Sequence, residues 1–209
     1  MRTVPLPFPS SSTTDPSTTM SKTLITAALL AAAYGSAQAQ SATYAIDPTH
    51  TFASFEILHV GTSTIRGRFD KKEGSVTIDR AAKTGKVEIT IDMASISTGV
   101  PPFDGHLKSA DLFDVAKFPT AKFVGNQFSF SGDKVTAVAG TLTMMGKTQP
   151  VTLKATNFNC YMNPFVKREA CGGDFEATIQ RSAFGINYGL PDFAPDNVRL
   201  LVQVEAFKQ

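Results

Sequence analysis

The chain has 209 residues, a formal net charge of +2, sixteen phenylalanines, two cysteines and no tryptophan. Charges of both signs are interspersed, and no basic stripe or aromatic-basic run forms, so the composition excludes a nucleic-acid surface. No stretch reaches the about 20 consecutive apolar residues that a membrane-spanning helix needs.

Residues 1–19 are rich in Ser, Thr and Pro and almost free of charge. Such a segment cannot bury a core and is expected to be disordered, upstream of a start at Met20. From Met20 the order of features changes. Lys22 supplies a positive start, Leu24 to Ala33 a short apolar run, and Ala37-Gln38-Ala39 a small-x-small triplet. That order is expected of a cleaved secretory signal peptide over residues 20–39, which places the working chain in the periplasm. Removal of residues 1–39 takes away Arg2, Lys22 and Asp15 and leaves 170 residues with a net charge of +1. That length suits a single soluble domain, residues 40–209.

Along this domain, apolar side chains fall on alternate positions in segment after segment. Val76 and Ile78 begin the pattern, followed by Val87, Ile89, Ile91 and Met93, then Val151, Leu153 and Ala155. Phe175, Ala177 and Ile179 continue it, and Val198, Leu200, Val202, Val204 and Ala206 end it. Period two means strands with one apolar and one polar face. Turn signals such as Ser131-Gly132-Asp133 and Met145-Gly146-Lys147 separate them. Many one-sided strands with little helix between them predict an all-β, antiparallel barrel or sandwich. Two segments break the rhythm. Residues 101–112 predict a short helix over Asp104–Asp111, and residues 182–197, rich in Gly, Pro and Asn, predict a loop with one helical turn.

The chain lacks a Gly-x-Ser-x-Gly elbow, a phosphate loop, a zinc helix and any close carboxylate pair. His50, His59 and His106 are not at ligand spacing, and structural hydrogen bonding is the expected role of each. No metal, cofactor or catalytic residue is assigned. Cys160 and Cys171, an even pair in an exported chain, are expected to form a disulfide, worth about 3 kcal/mol on the chain-entropy estimate. The phenylalanines fill a core or line a cavity, since a barrel of about eight strands can do either.

From Tyr44 onward a set of motifs appears in order. They are Asp47-Pro-Thr-His50-Thr51, Phe55-Glu-Ile-Leu-His59, Gly67-Arg-Phe69 and Ser95-Ile-Ser-Thr98-Gly99. Phe103-Asp104-Gly-His106-Leu107-Lys108-Ser109-Ala-Asp111-Leu-Phe113-Asp114 follows, then Phe118-Pro119-Thr-Ala-Lys-Phe123, Gly140-Thr-Leu142, Gly146 to Leu153 and Ser182-Ala-Phe184-Gly185. In these the chain resembles the YceI-like family of exported lipid-binding proteins. Phe103 stands where many relatives have a basic residue, and Thr51 where Ser is usual.

The resemblance implies a single extended, lipocalin-like antiparallel barrel of about eight strands with one or two short helices, hollow rather than filled. It implies a non-catalytic carrier of a long isoprenoid, such as a prenyl pyrophosphate or quinone, or a similar amphiphile, and a homodimer. On that reading the tail lies against Phe55, Ile57, Val87, Ile89, Ile91, Phe113, Phe123, Phe175 and Ile179. The head group meets Arg66, Arg68, His106 and Lys108 at the mouth. Residues 161–168 between the cysteines, apolar and basic, fit a lid or an edge in transient contact with a membrane surface. Two other functions compete: a lipid-modifying isomerase or hydrolase working through His59 or His106, and an envelope stress-related interaction module with a filled core.

Overall fold

The computed structural model describes residues 41–209, together with Met1 and Thr3. The signal peptide expected over residues 20–39 lies outside the described residues, as does nearly all of the segment ahead of it. The alternating segments become strands, because period-two patterning gives each one a buried face. In chain order they are β1 (Ala42–Ile46), β2 (Phe52–His59), β3 (Ser63–Phe69), β4 (Lys72–Asp79), β5 (Thr84–Asp92) and β6 (Ile96–Ser97). One helix, α1 (Pro101–Lys108), precedes β7 (Thr120–Ser131), β8 (Lys134–Met144), β9 (Lys147–Met162), β10 (Glu169–Gln180) and β11 (Asn197–Lys208). Short 3-10 turns cover Met93–Ser95 and Arg181–Phe184. The hairpin between β8 and β9 turns on two residues, Met145 and Gly146, with φ of +52° and +72°. Positive φ at both positions matches the twist of the flanking strands.

The strands form one antiparallel sheet in the order β1-β4-β5-β7-β8-β9-β10-β11, which closes on itself through β1 and β11 into an eight-stranded barrel. β11 carries a second partner on the same edge. Its end at Ala206–Lys208 pairs with β1, and its first half, Arg199–Gln203, pairs with β2. From there β2, β3 and β6 continue as a branch. Only residues 70 and 71 join β3 to β4, yet these two strands do not pair. The barrel is therefore closed at one end and split at the other.

The branch point is a single side chain. Thr51, 2% exposed, donates its hydroxyl to the Glu205 carbonyl at 3.1 Å and accepts the Glu205 N–H at 3.2 Å. The Asp47 N–H reaches the same carbonyl at 2.8 Å. A hydroxyl thus replaces the missing strand residue opposite Glu205, which is why Ser or Thr serves there. The preceding turn is held by Asp47, which accepts from the Thr49 N–H at 2.8 Å and contacts His50 Nδ1 at 2.7 Å. Burial would raise the Asp47 carboxyl, but the hydrogen bonds from His50 and Thr49 outweigh it and lower its pKa to about 2.

α1 spans the opening. It begins three residues earlier than the sequence predicts and ends three earlier. The prolines are its first turn, where a missing N–H costs nothing. Ser109 ends it by bonding the His106 carbonyl through its N–H and its hydroxyl. Leu107 packs into Phe55 and Ile96 of the branch, and the Asp104 carboxylate accepts from the Thr98 N–H at 2.7 Å and its hydroxyl at 2.6 Å. At the closed end Glu169 collects Tyr44 Oη, Arg80 and Lys208 from three other parts of the barrel. Beside it Cys160 and Cys171, directly opposed on β9 and β10, form the expected disulfide.

Thr51→Val keeps the shape and removes the hydroxyl, so it should cost about 1–3 kcal/mol in urea unfolding by orphaning the half-buried Glu205 N–H, while Thr51→Ser stays close to wild type. Because the folded-state pKa of Asp47 is depressed, its contribution is present above about pH 4 and is lost as pH falls toward about 2. Asp47→Asn should flatten stability over that window, as measured by thermal melts at stepped pH.

Candidate functional site

The split end of the barrel encloses a cavity of about 370 Å³. Its walls come from β2 to β5 and β7 to β11, and from α1, the segment after it and the loop after β10. Toward the closed end lies a second void of about 60 Å³. Ile89, Phe123, Leu153 and Val202 line both and stand between them. The interior is hollow above and nearly filled below, as expected where an eight-stranded barrel opens into a branched sheet.

The structure brings all nine apolar candidates to these voids. Phe55, Ile57, Ile89, Ile91, Phe113, Phe123 and Ile179 line the large one, and Val87 and Phe175, with Ile89 and Phe123, line the small one. The odd-numbered residues of β5 and β10 face inward, as period-two reading predicts, and Glu88 pairs outside with Lys122 at 2.6 Å. Leu142, Met144, Val198, Leu200 and Val202 also line the large cavity.

The four basic candidates separate. His106 lines the cavity, its ring 5.0 Å from that of Tyr188 in an edge-on arrangement. Arg66 does not. It is largely exposed and bonds Glu56 at 2.8 Å. Arg68 pairs with Asp70 at 2.7 Å, lies 5.3 Å from the Phe52 ring centre and is not part of the lining. Lys108, at the end of α1, is also absent from the lining. His50 holds a turn, as expected, but His59 and His106 make no side-chain hydrogen bond to the described residues and face the cavity instead.

Sequence reading missed two cations that do line it. Lys72 sits with its ammonium 4.5 Å from the Phe52 ring centre, and burial lowers its pKa. Arg181 is 5% exposed. Its guanidinium donates to four backbone carbonyls of the following loop: Pro195 at 3.1 Å, Ile186 at 3.3 Å, Tyr188 at 2.8 Å and Ala194 at 3.0 Å. Burial pushes its pKa down, and the nearby Asp196 carboxylate pushes back. That carboxylate is itself occupied by the Ser182 N–H and hydroxyl. A signal was present in the sequence: Arg181 continues the inward series Phe175, Ala177, Ile179 by one step.

Arg181 thereby shapes the mouth. The loop it gathers carries Tyr188 and Phe193, which line the cavity and are also 53% and 64% exposed. The Val60 N–H donates to the Phe193 carbonyl at 2.9 Å and ties this loop to the β2–β3 turn. Polar side chains in the lining are few: Thr51, Ser54, His59, Lys72, His106, Arg181 and Tyr188. Among the described residues no Asp or Glu lines the cavity. The one cluster of metal-ligand type among them, Cys160, Glu169 and Cys171, has both sulfurs tied in the disulfide. Chemically, the cavity can hold an apolar chain and offers a few cationic or hydrogen-bonding groups near its mouth.

Residues 44–206 match the sequence profile of the YceI-like domain. A UPF0312 protein of Pseudomonas paraeruginosa is 37% identical over 193 residues, which span 91% of this chain and all of that one. Among solved structures, Burkholderia cenocepacia BcnA superimposes with a TM-score of 0.65 at 26% identity, over 77% of this chain and 99% of that one. A polyisoprenoid binding domain from Saccharophagus degradans shares the fold, with a TM-score of 0.56 at 15% identity over 79% of this chain and 98% of that one.

Arg181→Lys keeps the charge but cannot fork to four carbonyls, so it should lower stability by about 3 kcal/mol in urea unfolding. A loss below about 1 kcal/mol would mean that the loop holds itself without the guanidinium.

Proposed function

The chain belongs to the YceI-like family, and we propose that it is a non-catalytic carrier for a long-chain isoprenoid or similar amphiphilic lipid. The observation that carries this reading is the apolar cavity of about 370 Å³, with no carboxylate from the described residues in its lining. That volume falls within the about 300–1,000 Å³ typical of small-molecule pockets. Burying ten methylene equivalents of a tail yields roughly 8 kcal/mol, an affinity near micromolar before ordering costs. A head group then stays near the mouth, beside His59, His106 and Tyr188. The polyisoprenoid binding described for the Saccharophagus domain supports the ligand class. The expected signal peptide supports a place in the periplasm, where a water-insoluble tail needs a soluble carrier.

The test is uptake of a fluorescent polyprenyl probe by the purified protein. Micromolar saturable binding is expected, with the probe recovered chemically unchanged. Ile57→Asp, which puts a carboxylate into the lining, should weaken uptake more than about tenfold, since an uncompensated charge in an apolar site is costly. Arg66→Gln should leave uptake at the wild-type level, because that side chain stands outside. Absence of uptake, or turnover of the probe that His59→Ala or His106→Ala abolishes, would overturn the reading.

A further inference from the structure

Exposed large apolar side chains in the described residues gather at a few places. Val60, Tyr188 and Phe193 belong to the loops around the cavity mouth, Leu58 lies at the end of β2 beside them, and Val100 precedes α1. Apart from the terminal Met1, the rest sit together on the β9–β10 hairpin at the closed end: Tyr161, Met162, Phe165 and Val166. Phe165 is 90% exposed. Nothing about the cavity accounts for this second group.

The hairpin tip is built, not loose. Asn163 Oδ1 accepts the Phe165 N–H at 2.9 Å and the Val166 N–H at 3.2 Å. The Asn163 N–H donates to the Arg168 carbonyl at 2.9 Å, and the Lys167 N–H to the Asn163 carbonyl at 3.0 Å. The Cys160–Cys171 disulfide clamps both strands just below. The backbone that carries the outward Phe165 is therefore ordered before any partner arrives, which lowers the ordering cost of binding.

The charge around the tip is one-sided. Arg80 and Lys208 share the Glu169 carboxylate, and Lys167 and Arg168 precede it in the hairpin. Lys167 and Arg168 pair with no acid among the described residues, and the Arg168 guanidinium leans over the Phe207 ring at 5.8 Å. An aromatic and aliphatic tip flanked by Lys167 and Arg168, the two cations without an acid partner among the described residues, is complementary to a surface that is apolar within and negative at its face. A bilayer containing anionic lipid is that surface.

We propose that the β9–β10 hairpin docks this protein on anionic lipid bilayers, Phe165 and Met162 entering the head-group layer while Lys167 and Arg168 meet the anionic heads. The dock is separate from the cavity mouth and does not depend on what the cavity holds.

Sedimentation with phosphatidylcholine vesicles, with and without phosphatidylglycerol, tests it. Binding is expected only where phosphatidylglycerol is present, and it falls as salt rises. Each basic side chain near the surface contributes about fivefold to partitioning. Lys167→Glu combined with Arg168→Glu should therefore remove binding, and Phe165→Asp should weaken it at least about tenfold. Phe165→Asp should keep polyprenyl uptake and the wild-type melting temperature, which shows that the barrel is intact. A protein that takes up no probe yet still binds these vesicles through Phe165 would fail the carrier reading alone. Equal binding to neutral vesicles, or undiminished binding by Phe165→Asp, would overturn the dock. So would a wild-type dimer that Phe165→Asp dissociates without any vesicle binding, since a second copy would then cover the tip.

Discussion

The two hydrogen bonds between the Thr51 hydroxyl and the Glu205 backbone decide the shape of this protein. β11 offers one edge to two strands, and an ordinary ladder would have to leave a backbone group buried and unpaired where one partner stops and the next begins. The hydroxyl satisfies that junction without a strand. Below it, β1 closes an eight-stranded barrel. Above it, β2 leads a branch away, so that β3 and β4 separate and α1 covers the gap.

Everything functional follows from that division. The closed half packs its interior almost completely, and the Glu169 cluster and the disulfide hold its end. The split half cannot be filled by its own side chains, so about 370 Å³ stays open. A cavity that the chain's own side chains do not fill gives up internal packing contacts, so the fold needs rigid walls to keep its shape. The Leu107 anchor of α1 and the guanidinium of Arg181, spread over four carbonyls, supply that rigidity at either side of the mouth.

Much of this was legible in the sequence. Alternation gave the strands of the barrel wall, and inward parity on β5 and β10 selected residues that do face the voids. On β7 the inward parity changes partway along the strand. β7 shifts register between Gly125 and Gln127, so that Ala121, Phe123 and Gly125 face in before the bulge and the even-numbered Phe128 after it. No local pattern marks such an insertion. The basic candidates were chosen by motif proximity, which does not say on which side of a strand a side chain lies. Arg66 and Arg68 alternate with Ile65 and Gly67 and so turn outward, whereas Arg181 keeps the inward parity of its strand. The start of α1 was missed because Pro101 and Pro102 read as a helix barrier when they form its first turn. The branch itself depends on a contact between residues 51 and 205, far apart in sequence.

The central claim is that the hollow half of this barrel carries a long apolar chain. Its most direct test is organic extraction of the purified protein, followed by mass spectrometry of the extract. The account predicts a prenyl or related long-chain compound near one per protein, and its loss from Ile57→Asp prepared in the same way. An extract free of any such compound from wild-type protein that also refuses added polyprenyl lipid would contradict it.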